Sequence, residues 1–247
     1  MKEWFTEWFD TSFYHQLYKS RCQDEAKMLI DNLEKKLNFQ KTQSFLDLAC
    51  GKGRHAIYLN SKDYHVIGLD LSRNNIESAN QSANEHLHFF VHDMRTCFRP
   101  NTFDFVLNLF TSFGYFDDDQ DNFRAINAVA DNLKSGGKLV LDYINCTKAI
   151  NNLSKHYEKE VEGIKFIITK QIEAGFIVKN IDFDFEGSHH QFQERVKILT
   201  QEDFKAYFKK AGLICKEVLG NYHLETFDEQ NSDRMIFIAE KLDICLN

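Results

Sequence analysis

Three carboxylates and two glycines carry the spacing of a small-ligand cradle. In the segment Phe45-Leu-Asp-Leu-Ala-Cys-Gly-Lys-Gly-Arg-His55 an apolar run contains Asp47 and breaks at Gly51 and Gly53. Backbone there can approach a ligand with no side chain in the way. A second apolar run, His65-Val-Ile-Gly-Leu69, ends in Asp70, and a third, Leu87–Val91, is followed by His92 and Asp93. A carboxylate at the tip of the second strand of a βαβ unit is placed to accept hydrogen bonds from ribose hydroxyls. An acid ahead of the glycines favours a ligand that carries positive charge. This chemistry describes a holder for an adenosine-containing molecule.

These residues require alternating elements to position them. Apolar residues at helical spacing over Asp24–Leu37 predict a leading helix. Strands are expected over the runs around Asp47, His65–Leu69, Leu87–Val91, Phe103–Leu109 and Lys138–Ile144. The intervening helices are Ala56–Ser61, a segment from the N-cap Ser72 to about Asn84 with Ile76, Ala79 and Ala83 inward, and one carrying Phe123, Ile126, Ala130 and Leu133. The last should stop at Gly136-Gly137, and the acidic tract Asp117–Asp121 suits its positive end. From about Glu160 the period changes to two. Glu160–Lys170, Phe176–Phe185 and Gln191–Leu199 read as an antiparallel meander with turns at Ala174-Gly175 and Glu186-Gly187-Ser188. Thr200-Gln-Glu-Asp203 opens a closing helix, and strands at Leu213–Leu219 and Arg234–Glu240 follow. The expected fold is α/β: a doubly wound, mostly parallel seven-stranded sheet with an inserted antiparallel β meander. Its expected parts are a helical cover (1–43), a Rossmann-like core (44–145), the β insertion (146–199) and a closing helix and strand pair (200–247).

Composition narrows the function classes. The 247 residues are 43% hydrophobic and include 23 phenylalanines, enough for a packed core. A formal charge of −7 argues against a broad phosphate-backbone footprint, so no nucleic-acid partner is expected. The six cysteines form no Cys-x-x-Cys pair, which suits reduced thiols in the cytoplasm. No apolar run approaches the roughly 20 residues that span a bilayer, and the aromatic, acid-interrupted start is not that of a signal peptide. His86, His88 and His92 recur at period two with no interleaved acid or cysteine, and no metal site is expected from them.

Gly51-x-Gly53-x-x-Ala56 also fits the loose dinucleotide fingerprint. Asp47 weighs against that ligand, because pyrophosphate is anionic, and so does the closing strand pair. Residues 44–145, with the closing helix and strands, resemble a class I S-adenosylmethionine (SAM)-dependent methyltransferase. The resemblance rests on Asp47-x-x-x-Gly51-x-Gly53, Asp70, Asp93-Met94, Asn108-Leu109-Phe110 and Thr111-Ser-Phe-Gly-Tyr-Phe116. The chain departs from the fullest form of the first motif in having no third glycine after Gly53. The last segment is similar to one in a small-molecule branch that also carries a meander.

The resemblance implies a role for each position. Asp47, Ala49, Gly51 and Gly53 would hold the amino-acid end of SAM, Asp70 and Leu71 the ribose, and Asp93 and Met94 the adenine. Asn108 and Leu109 would stand beside the methyl group. An amino-terminal segment with Tyr14, Tyr18 and Arg21 would fold over the cofactor. Should the acceptor need deprotonation, His55, Tyr115 and His223 are the candidate bases. The acceptor pocket is expected between Asn108–Phe116, Asp142–Asn145, the cover and the meander. A small-molecule acceptor, S-adenosylhomocysteine as product and a homodimer through the β insertion complete the expectation. The rival readings are an NAD(P)-dependent oxidoreductase and a SAM-binding module without turnover.

Overall fold

A computed structural model describes residues 4–19 and 23–242. In chain order the elements are α1 (Phe5–Trp8), α2 (Ser12–Leu17), α3 (Gln23–Leu37), β1 (Ser44–Leu48), α4 (Arg54–Ser61), β2 (His65–Asp70), α5 (Arg73–Ala79), β3 (Leu87–Val91), β4 (Phe103–Asn108) and α6 (Asp119–Asn132). There follow β5 (Leu133–Ile144), α7 (Cys146–Asn151), β6 (His156–Val161), β7 (Ile164–Glu173), β8 (Phe176–Phe185), β9 (Ser188–Lys197), α8 (Gln201–Lys210), β10 (Leu213–Leu219) and β11 (Arg234–Lys241).

The main sheet has seven strands in the order β10-β11-β5-β4-β1-β2-β3, and the expected fold class holds. Strands β3, β2, β1, β4 and β5 run parallel, while β11 is antiparallel to both β5 and β10. Period-two side-chain alternation sends neighbouring residues of the central strands into two different cores. Phe45, Phe105, Val140 and Ile238 pack with Leu29, Ile30 and Leu33 of α3. Leu46, Val106, Leu139 and Phe237 pack with Ile126 of α6 and Phe204 and Phe208 of α8. Both faces are therefore covered, and the ligand-carrying loops can gather only at the strand ends.

A second sheet, β6-β7-β8-β9, is an antiparallel meander. Its three hairpins turn on Glu162-Gly163, Ala174-Gly175 and Glu186-Gly187, each pair with positive φ at both residues, the geometry that matches strand twist. The expected single strand over 160–170 is thus two strands. Alternation runs unbroken through a two-residue turn, which hid the hairpin. Ile164, Phe166, Ile168, Ile181 and Phe183 of this sheet form a third core with Trp8 and Leu17 of the amino-terminal helices.

Other boundaries shift for local reasons. Helix α5 ends at Ala79 and passes through a short 3-10 turn, so Ala83 is exposed rather than inward. Helix α6 stops at Asn132, not at the glycines. There Asn132 accepts from the Phe98 and Arg99 N–H groups at 3.1 and 2.9 Å, and Leu133 pairs with Phe103. Helix α7, within the segment expected to be all β, was not anticipated. At α8 Thr200 and Asp203 form the full capping box.

Candidate active site

The loop after β1 is built by the acids around it. Gly53 is the N-cap of α4 but has no side chain to cap it. Asp47, buried in β1, supplies the missing acceptor to the Ala56 N–H at 3.1 Å. Asp70 accepts from the Gly51 N–H and the Ser72 N–H, both at 2.8 Å, and so ties the loop to the tip of β2. Gly53 has φ +81°, and a Cβ there would stand 2.6 Å from the Phe89 ring. Its role is to let β3 pack beneath the loop, and it does not line the cavity above.

That cavity has a volume of about 560 Å3 and lies at the carboxyl ends of β1, β2, β3 and β4. Asp47, Ala49, Gly51, Asp70 and Leu71 line one side, and Asp93 and Met94 the next. Leu109, Phe110, Ser112, Phe113, Tyr115 and Phe116 form a largely aromatic wall. Phe5, Phe9, Tyr14 and Tyr18 approach from the amino-terminal helices.

Burial raises the Asp47 carboxyl to about 7, with the Asp70 charge adding to the effect and the Ala56 and Arg54 contacts opposing it. Burial raises Asp70 as well. Two desolvated carboxyls facing one space favour a cation there and disfavour a pyrophosphate. Apart from its chain neighbours, no heavy atom among the described residues lies within 4 Å of the point where a Gly51 Cβ would stand, so this backbone is open to a ligand. The donor and acceptor set suits the aminoacyl and ribosyl ends of SAM.

Comparison with known proteins agrees with this geometry. Residues 45–137 match a family described as a methyltransferase domain. The chain thus carries a methyltransferase domain over those residues. A Geobacillus sp. (strain WCH70) protein named as a methyltransferase is 23% identical, over 97% of this chain and 99% of its own. A SAM-dependent methyltransferase structure from Clostridium acetobutylicum superposes with a TM-score of 0.79 at 20% identity, covering 93% of this chain and 96% of that one. The SAM-bound amino pentose methyltransferase CalS10 from Micromonospora echinaspora has a TM-score of 0.70 at 21% identity, over 94% and 97% of the two chains.

Several residues stand differently from expectation. The Asn108 side chain does not line the cavity; it donates to the Leu48 carbonyl at 3.0 Å, bracing β1 against β4. His223 is exposed on the loop before β11 and does not line the cavity. Its neighbour Tyr222 turns inward instead, against the Phe110 ring at 5.0 Å. Asp142–Asn145 and the meander contribute no lining residue among those described. Arg21 lies outside the described residues.

His55 and Tyr115 do line the cavity, but neither is poised as a base. Burial, with Arg54 second, drops the His55 imidazole to about 3, and its buried Nε2 has no hydrogen-bond partner. The Tyr115 hydroxyl donates to the Thr111 carbonyl. The Tyr18 hydroxyl donates to Glu194, 2.7 Å from each carboxylate oxygen, and Lys179 pairs with the same carboxylate at 3.3 Å. Trp8 Nε1 also donates to Glu194, at 2.7 Å. The cover helices are thereby pinned to β8 and β9.

Sequence reasoning overlooked Arg95. Its Nη2 lies 2.6 Å from Asp93, its Nη1 3.0 Å from Asp121, and its guanidinium 4.8 Å from the Phe116 ring centroid. Burial opposes the Asp93 charge, but Arg95 outweighs it and holds the carboxyl below its ordinary value. An arginine two residues after the strand-end acid was the available signal. His15, whose Nε2 meets Asn75 Oδ1 at 3.0 Å, was also missed. It brings the cover onto the helix that follows Asp70.

Proposed function

We propose that this enzyme moves the methyl group of SAM to a small-molecule acceptor by in-line displacement. The observation that supports it best is a single cavity with desolvated carboxyls at one end, an aromatic wall opposite, and a cover of amino-terminal helices. At about 560 Å3 it has the size of a small-molecule site. The amino pentose acceptor named for CalS10 fits an acceptor of that scale. The net charge of −7, which disfavours a broad phosphate-backbone footprint, fits it too.

In this reading Asp47, Ala49, Gly51 and the turn set by Gly53 hold the amino-acid end. Asp70 and Leu71 take the ribose, and Asp93 and Met94 take the adenine. Leu109 borders the reacting region, with Asn108 fixing the strand behind it. Tyr14 and Tyr18 close the cover, and residues 1–43, 44–145, 146–199 and 200–247 act as cover, donor core, cover support and core completion. When bound, SAM supplies an activated methyl on a sulfonium, with a neutral thioether as the leaving group. The chain's own contribution is orientation and exclusion of water. A base is not required of it when the nucleophile arrives with a free lone pair. Cytoplasmic residence follows from the same reading.

Calorimetry with SAM, S-adenosylhomocysteine and NADH tests the assignment. SAM and its product should bind, and Asp70→Ala should weaken both by about 10- to 100-fold, the worth of hydrogen bonds to a charged group. Tight NADH binding with no response to SAM would sink it. Labelled SAM incubated with a small-molecule extract should give a labelled product. Binding that never yields one means a non-catalytic module.

A further inference from the structure

The aromatic wall begins with two consecutive non-glycine residues in the left-handed region, Phe110 at φ +60° and Thr111 at φ +58°. Neither type adopts that backbone readily, and two in succession require a brace. Asp142 of β5 supplies it. Its carboxylate accepts the Phe110 N–H at 2.7 Å and its carbonyl accepts the Thr111 N–H at 3.0 Å. The same carboxylate accepts from Arg234 Nε at 2.7 Å and from the Tyr222 hydroxyl at 3.1 Å. Arg234, on the antiparallel strand β11, extends its Nη2 to Thr111 Oγ1 at 2.7 Å. Asp142 is fully buried. None of these three bracing side chains lines the cavity, yet Phe110, Ser112, Phe113, Tyr115 and Phe116 all do.

We propose that Asp142 and Arg234 are positioning residues of the methyl-transfer site: they hold the Phe110–Thr111 turn, and through it the aromatic wall, in its strained conformation. The inference rests on the SAM reading above, since donor binding is its readout. The ion pair joins β5 to β11, so the reversed closing strand acts on the site through an arginine far from the glycine loop in sequence. A buried pair with a purely structural role would meet its partners and nothing more. Here one partner accepts the amide of the wall residue Phe110, and the other donates to the hydroxyl of Thr111 beside it.

The test uses the full chain. Arg234→Lys keeps a cation near Asp142 and removes the forked reach to Thr111. Donor affinity should fall about tenfold, within the range that releasing such backbone strain is worth. Amide exchange at Phe110 and Thr111 should rise. Adding Thr111→Asn, a residue at ease in the left-handed region, should recover most of the lost affinity. Thr111→Ala leaves the ion pair intact and should give a drop in the same direction, which keeps the idea testable if Arg234→Lys does not fold. Unchanged SAM affinity in Arg234→Lys or in Thr111→Ala, or no recovery on adding Thr111→Asn, overturns the proposal. Failure of the unmutated chain to bind SAM overturns the underlying reading instead.

Discussion

The two sheets contribute to the site in opposite ways. The seven-stranded sheet lines it directly, with Asp47, Asp70 and Asp93 at or just beyond successive strand ends. The meander lines none of it among the described residues, yet it anchors the helices that cover it through Glu194, Lys179 and the apolar core around Phe166. Parallel strands covered on both faces leave only their ends free for a ligand, whereas a hairpin sheet with one packed face can serve as a clamp. Direct contact and support are thus separated between architectures, and they should respond differently to mutation.

The largest effect should come from the loop that β1 of the seven-stranded sheet carries. Gly53→Val adds a side chain where φ is +81° and a ring carbon lies 2.6 Å from the Cβ position. Strain and overpacking together should cost about 2–5 kcal/mol. Thermal unfolding would show a lower midpoint, and SAM binding should be lost. An unaltered midpoint would mean that Phe89 yields freely and that the loop is not rigid.

A pH effect should come next and should belong to the same sheet. The Asp47 carboxyl lies near 7 when folded, above its unfolded value of 3.8. Its protonated form therefore favours the fold, a contribution complete below 3.8 and lost as pH rises through about 7. A cationic ligand favours the carboxylate, so SAM affinity should climb between pH 6 and 8, by at most about tenfold per pH unit below the folded value. Asp47→Asn should flatten both profiles relative to the unmutated chain. Parallel profiles would remove Asp47 from the donor site.

The meander should give the smallest change in affinity. Glu194→Gln keeps acceptors for Trp8 and Tyr18 but strips Lys179 of its counter-charge. Donor affinity should fall by only about three- to fivefold, in line with about 1 kcal/mol for a support contact. Amide exchange in 5–18 should rise more clearly than exchange around Asp70. An effect as large as that of Asp70→Ala would erase the distinction between the two sheets.

Much of the core was legible because it depends on local patterns. Alternation, glycine turns and strand-end acids place the residues proposed to hold the donor without knowledge of distant contacts, and the Thr200–Asp203 capping box is just as local. The hairpin at Glu162-Gly163 was also written in the chain, as a residue followed by glycine between apolar runs. The placement of Asn108 and His223 was not legible, for a different reason. Whether a side chain at a strand end or in a loop turns inward depends on which neighbouring strand offers a partner, and spacing does not encode that.

The sequence by itself determined the order of the elements and the acids that a cationic adenosine ligand needs, because strand and helix periods and glycine turns are properties of a few adjacent residues. Only the tertiary structure decided that Asp47 caps α4, that Arg95 claims Asp93, and that Arg234 and Asp142 brace the Phe110–Thr111 turn. Those pairings join residues brought together by sheet order, and β11 lies beside β5 only because the last strand inserts into the sheet in reverse.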